Sequence, residues 1–374
     1  MVQVPSHPIV YPFTISTQHF EFREWVTIFT VSLAPLIAHL AAGTPRPSIL
    51  TTRSSRRPRW HDSICVYNPT SILWRYAAIA DRRIRAKYWS VEDIAAANAL
   101  FWFCEERGGW NGTEQMIIAS LPYCTELPLH ARAELLSWET IKTIIITLQG
   151  MQALATLANF NKIIEGRSTG AQDSVLNVFS PFTLIGLFRL CAAGYLTPTG
   201  YAYTARDNVF DGYDRLAHSA TVLDNELGTS AMAVSARYHS TKYIPSILFR
   251  CTYMLLLFSI WTISLLRGTP AMPSSNPVWE RTTTTMLSGC FYLFFTSCTC
   301  ALLAVYFWRG DTRSTIIPCA GKVWYKIYTV VVFAWMVTIF VVACCETLKM
   351  PCGVYSSLGE DYWHGRDGCE SSAA

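Results

Sequence analysis

"YTVVVFAWMVTIFVVACC", Tyr328–Cys345, contains no charged residue. A helix rises 1.5 Å per residue, so this run and its apolar flank from Val323 reach across the roughly 30 Å hydrocarbon layer of a bilayer. A helix in a globular protein turns one apolar stripe to the core and a polar face to water. Here every face is apolar, which predicts a membrane span.

Working outward, the same signature recurs in five more windows. Thr284–Trp308 holds "CFYLFFTSCTCALLAVYFW", Tyr243–Leu266 carries Arg250, and Val178–Leu196 carries Arg189. Glu24–Gly43 is interrupted by Pro35, and Ile141–Phe160 is diluted by Lys142, Gln149 and Gln152. Composition agrees. Of 374 residues 51% are hydrophobic and 15% charged, against about 25% charged in a soluble domain. No secretory leader is evident, and the first apolar run reads as an uncleaved anchor.

Charge sets the orientation. Arg46, Arg53, Arg56, Arg57 and Arg59 follow the first span, and only Arg23 precedes it. By the positive-inside rule the N-terminus lies outside and this loop in the cytosol. With six spans, the loops Thr197–Lys242 (Arg206, Arg215, Arg237, Lys242) and Arg309–Lys322 are also cytosolic, and the acidic tail is outside. The chain divides into a tail (1–23), a first span (24–43), a basic helical region (44–140), a bundle (141–346) and a polar tail (347–374). The sequon Asn111-Gly112-Thr113 then falls in the cytosol and is expected to be unused.

The basic region has structure of its own. Asn68-Pro69 reads as an N-cap followed by proline at the first helical position. The helix it opens places Leu73, Ala77, Ala80, Ile84 and Tyr88 on one face and Arg75, Arg82 and Arg85 on the other. That pattern predicts a helix in the membrane interface, with Leu73, Trp74 and Ile84 down and Arg75, Arg82 and Arg85 toward anionic headgroups. Topology alone is the rival reading of these arginines. Membrane lipids are the expected partner. Nucleic acid is not, because the stretch is tethered to a span and the remaining chain lacks a basic surface. Ser90-Val-Glu-Asp93 reads as a capping box for a second helix, "DIAAANALFWFC", ended by Gly108-Gly109.

Chemistry-bearing motifs are sparse. There is no glycine-rich phosphate loop, nucleophile elbow or HExxH. The thirteen cysteines include no CxxC pair; Cys191, Cys251, Cys290, Cys298, Cys300, Cys344 and Cys345 lie in apolar runs and read as small hydrophobes. Cys352 and Cys369 are a candidate pair in the tail. Asp207, Asp211 and Asp214 are spaced four and three apart, so a helix would align their carboxylates. This spacing resembles the acidic clusters of UbiA-type membrane prenyltransferases. There, carboxylates hold magnesium against a diphosphate. The partner N-D-x-x-D motif is absent here. Arg189, inside an apolar window, is the second candidate polar group, since a charge at that depth faces a cavity or a partner. A solvated loop is the competing reading of the acidic set. No cofactor is expected otherwise.

"YNPTSILWRYAAIADRRIRAKYW" (Tyr67–Trp89), with "PRW" (Pro58–Trp60) and "LAPLIAHLAAG" (Leu33–Gly43) upstream, resembles multi-pass membrane proteins of filamentous fungi to which no activity is assigned. The resemblance implies a multi-pass fold and no chemistry. The expectation is thus an all-α, polytopic transmembrane helix bundle of about six spans with a helical cytosolic insert between the first two. Its activity is unassigned. The alternatives are an enzyme acting on a lipophilic, isoprenoid- or lipid-like substrate, or a transporter or channel.

Overall fold

A computed structural model describes residues 13, 15–16, 18–51, 57–103, 109–133, 137–158, 174–197, 200–205, 236–268, 282–349 and 355–357. The described chain is mainly helical. α1 (Phe22–Gly43) is followed by short α2 (Trp60–Ile64), then α3 (Pro69–Arg85), α4 (Val91–Asn98) and α5 (Met116–Ala119). α6 (Trp138–Ala158), α7 (Pro181–Gly186), α8 (Ile244–Gly268), α9 (Thr283–Arg309) and α10 (Val323–Glu346) complete the order.

Among the described residues four helices are long and apolar enough to cross a membrane: α1, α8, α9 and α10. Their lateral surfaces stay apolar and uncovered, as at Leu255, Phe258, Val305, Val337 and Val341, each at least 47% exposed. Such surface is stable against lipid and costly against water. The helix ends fall on two faces. On one, Glu346 at the end of α10 accepts from Thr284 N and Oγ1 of α9 (both 2.7 Å), Lys349 pairs with Glu24 of α1, and Ser16 N donates to Cys345 O at 2.8 Å. On the other lie Gly43, Ile244, Arg309 and Val323, together with the basic region and the 310–322 loop.

Six spans are not seen. Within the window Val178–Leu196, α7 continues as a 3-10 helix only to Cys191. Eleven residues fall well short of the hydrocarbon thickness. The weaker window forms α6, which packs closely on α7. A Cβ at Gly150 would lie 2.5 Å from Leu187 Cγ, and one at Gly186 2.6 Å from Ile146 Cγ2. Small residues let two helix backbones approach in this way. Neither window is among the described helices long and apolar enough to cross a membrane. Segments 57–133, 236–243 and 310–322, all assigned to one side by charge, do pack together: Lys87 N donates to Arg237 O (2.9 Å) and Thr315 N to Gly112 O (3.0 Å).

The fold also contains strands. β1 (Pro47–Ile49) pairs in parallel with β2 (Leu100–Phe103), which pairs antiparallel with β3 (Gly109–Asn111). β4 (Cys124–Glu126) pairs with β5 (Ala202–Tyr203), and β6 (Leu348–Lys349) with β7 (Tyr355–Ser356). The capping box at Ser90 is present, with Ser90 N donating to Asp93 Oδ2 at 2.8 Å. The helix it opens stops at Asn98, however, and "LFWF" becomes a strand. Asn98 Nδ2 donates back to Ile94 O and onward to Tyr195 O, which ends the helix; large aromatics then suit a paired strand.

Candidate functional site

α3 decides the centre of the molecule. Asn68 caps it as the sequence predicts, accepting from Thr70 N at 2.9 Å, with Pro69 at the first position. The helix is enclosed by protein on both faces. Leu73, Trp74, Tyr76, Ala77, Ala78 and Ile79 are at most 1% exposed, and they join one core with Phe291, Tyr325 and Val332 of the spans. Arg75, Arg82 and Arg85 are 8%, 0% and 1% exposed. The expectation that they stay in headgroups or water is therefore corrected. Ile84 is half-buried, and Tyr88, expected on the buried face, is 76% exposed. The bundle covers one side of α3, and Asn98 at the end of α4, Gly112 and the 310–322 loop meet the other. Both faces are thereby removed from solvent.

One end of α3 carries neutral hydrogen bonds. Asn68 Nδ2 donates to Thr329 Oγ1 of α10 (2.8 Å), and Thr70 Oγ1 shares protons with Thr299 of α9 (2.8 Å) and Tyr328 of α10 (3.0 Å). Ser71 Oγ meets Tyr325 OH at 2.6 Å. Mid-helix, Tyr253 OH of α8 donates to Leu73 O (2.8 Å) and Trp74 Nε1 to Ser314 O (3.0 Å). Arg75 Nη1 donates to Gly43 O at the end of α1 (2.9 Å) and Nη2 to Asn98 Oδ1 (3.0 Å). Gly43 is needed for this approach, because a Cβ there would come within 2.2 Å of Ile72 Cγ2.

The other end of α3 holds a buried ionic cluster. Arg85 Nε donates to Asp81 Oδ2 at 3.0 Å and Nη2 to Glu114 Oε1 at 2.5 Å. Asp81 Oδ1 accepts from Ser246 Oγ of α8 at 2.5 Å and lies 3.9 Å from Arg250 Nε. Burial alone would lower the Arg85 pKa, but Glu114 and then Asp81 outweigh it and hold it above its ordinary value. Arg82 has no carboxylate partner among the described residues. Its Nη2 donates to the carbonyls of Gly112 (2.5 Å) and Arg313 (2.8 Å), while Nε and Nη1 have none, and burial lowers its pKa. Alongside, Asp93 pairs with Arg237 Nη2 at 2.5 Å and accepts from Tyr238 OH.

These arginines satisfy helix-end carbonyls as much as carboxylates. Arg250 Nη1 donates to Phe307 O at 2.8 Å, near the end of α9. Arg189, expected to face a cavity or a partner, donates through Nη1 to Ala42 O at the end of α1 and through Nε to Thr143 Oγ1 (2.8 Å). The last carbonyls of a helix lack intrahelical donors and carry partial negative charge. A guanidinium there replaces lost water and offers several donors at fixed angles. His39 is buried against Phe182 with neither ring nitrogen hydrogen-bonded, in keeping with a packing role.

Comparison with known protein families, curated proteins and solved structures finds no match in any of the three. The site must be read from its own geometry.

Asp207, Asp211 and Asp214 lie outside the described residues, as do Cys352 and Cys369. Among the described residues no group of three His, Cys, Asp or Glu could hold a metal ion, and the cysteines are free. Asn111 closes a turn, its Oδ1 accepting from Thr113 N and Oγ1. A cavity of about 20 Å³ lies beside Arg75, Ser71 and Thr315, space for about one water. The residues that sequence reasoning missed are Asp81, Glu114 and Ser246. Only Asp81 gave a signal, standing four residues before Arg85 on one helix face.

Proposed function

We propose that the protein is a multi-pass integral membrane protein whose basic region is a cytosolic insert built into the bundle. In this reading it serves as a non-catalytic scaffold or relay. The observation that carries this is α3: one helix outside the spans bonds to α10 and α9 through Asn68 and Thr70, to α8 through Leu73 and to α1 through Arg75. Displacing the insert would break contacts with all four apolar helices together, so the insert and the spans move as one unit. The buried polar groups of α3 are turned on protein partners, which suits coupling better than turnover.

The enzyme reading, with magnesium on Asp207, Asp211 and Asp214 and a lipophilic substrate, needs Arg189 to be available to that substrate. Its donors to Ala42 and Thr143 weigh against that. Transport or conduction remains a third reading, and likeness to fungal membrane proteins a proposal of its own.

Glycosylation mapping in microsomes, combined with alkaline extraction, tests the membrane arrangement. The chain is expected to resist extraction, to carry no glycan at Asn111, and to gain one in the variant Glu370→Asn, which places an Asn-Ser-Ser sequon in the tail. Extraction into the soluble fraction, or a glycan on native Asn111, would overturn it.

A further inference from the structure

We infer that the insert-side rim of the bundle is a binding surface for anionic lipid headgroups. The inference rests on the membrane reading above and deepens it by naming the lipid class and the residues. At the ends of α8, α9, α10 and α2 on this rim, an exposed cation lies within two residues of an exposed bulky apolar side chain. Lys242 precedes Ile244 (78% exposed), Arg309 follows Trp308 (94%), Lys322 precedes Val323 (71%), and Arg59 precedes Trp60 (72%). An amphipathic ring beside a cation is the composition of a membrane–water boundary, where the ring sits at headgroup level and the cation meets phosphate.

The four positions form a continuous rim. Gly310, adopting φ 73° to end α9, lies so close to Thr241 that a Cβ would stand 2.8 Å from its Oγ1; this brings Lys242 beside Arg309. The 310–322 loop, with exposed Arg313, links Arg309 to Lys322. Lys326 then pairs with Asp62, which joins the start of α10 to α2 and hence to Arg59. None of Lys242, Arg309, Arg313, Lys322 or Arg59 forms an ion pair with another described residue. The opposite rim is different: its described charges include Glu21, Glu24 and Glu346 against Arg23 and Lys349, Lys349 is spent on Glu24, and among the described residues there only Arg23, beside exposed Phe22, repeats the pairing. The asymmetry selects an anionic leaflet on the insert side. It also reassigns the headgroup contact: the arginines of α3 are used internally, and the free cations sit at the span ends.

The test uses full-length protein in phosphatidylcholine vesicles doped with acyl-brominated phosphatidylserine or, in parallel, with the same fraction of acyl-brominated phosphatidylcholine. The Trp308 contribution to quenching is obtained by difference from Trp308→Phe. Brominated phosphatidylserine is expected to quench Trp308 about threefold more strongly, because each cation near the surface favours an anionic headgroup. In the exposed-residue variant Lys242→Gln/Arg309→Gln/Arg313→Gln/Lys322→Gln the two lipids should quench equally. Equal quenching in the unmodified protein, or a preference that survives the four substitutions, overturns the proposal while leaving the spans in place. Quenching by neither lipid would instead remove the membrane reading on which it rests.

Discussion

Arg85→Met separates a buried α3 from an interfacial one. Arg85 is 1% exposed and faces two carboxylates, Asp81 at 3.0 Å and Glu114 at 2.5 Å. With an effective dielectric of ~20, opposite unit charges at these separations attract by about 5–7 kcal/mol each. Desolvation of the three ions cancels most of that gross term. Removing one partner nonetheless strands Asp81 and Glu114 in a dry site, and breaking such a pair costs roughly 3–5 kcal/mol. That is about 10²- to 10⁴-fold in the folding equilibrium. Were Arg85 in headgroups or water, its loss would cost only about 0–1 kcal/mol. Denaturant unfolding in detergent, followed by tryptophan fluorescence, reads the difference. The triple variant Asp81→Asn/Arg85→Met/Glu114→Gln should recover most of the loss, because it leaves no carboxylate stranded. A single-variant cost below about 1 kcal/mol, with no recovery in the triple, would refute the buried cluster.

Three further outcomes follow from other contacts. Gly150→Val should destabilise by about 1–3 kcal/mol in the same assay, because its Cβ would strike Leu187 and the Thr183 carbonyl; an unchanged midpoint would mean that α6 and α7 are not packed. Thr70→Val should cost about 1–3 kcal/mol by removing the hydroxyl shared with Thr299 and Tyr328. The control Thr338→Val, whose exposed hydroxyl bonds only Ala334 O of its own helix, should be near neutral. Burial raises the Asp62 pKa, but Lys326 and the Arg59 N–H outweigh it and leave it lowered from 3.8. A depressed carboxylate stabilises above its unfolded pKa and loses that contribution as pH falls through the folded one. Acid below 3.8 should therefore loosen α2 from α10. The reporter is Trp110, whose Nε1 donates to Asp62 O, and Asp62→Asn should abolish the transition.

Local chemistry was legible wherever its partners lie within a few residues. The capping groups of Asn68 and Ser90 act over two or three positions, and both appear as read. The spans α8, α9 and α10 were equally plain, since an apolar surface on every face needs no knowledge of neighbours. "DIAAANALFWFC" misled because an apolar run of that length suits a helix and a strand alike. The strand was chosen by pairing with Pro47–Ile49 and Gly109–Asn111. Val178–Leu196 misled because hydropathy reports burial and not the solvent; its apolar residues are covered by α1, α3 and α9 as well as by any lipid.

The amino-acid sequence by itself determined that several helices are long and apolar enough to cross a bilayer, where they run, and which loops pack together. Those properties depend on the transfer of contiguous apolar surface and on the bias of charge between spans. Only the tertiary structure decided what the arginines of α3 do. An amphipathic helix presents the same pattern to a headgroup layer and to a ring of carbonyls and carboxylates. The groups that settle it arrive from Gly43, Glu114, Ser246 and Arg313, up to 231 residues away in the chain. Periodicity sees one helix at a time, and the burial of a charge is a property of everything packed around it.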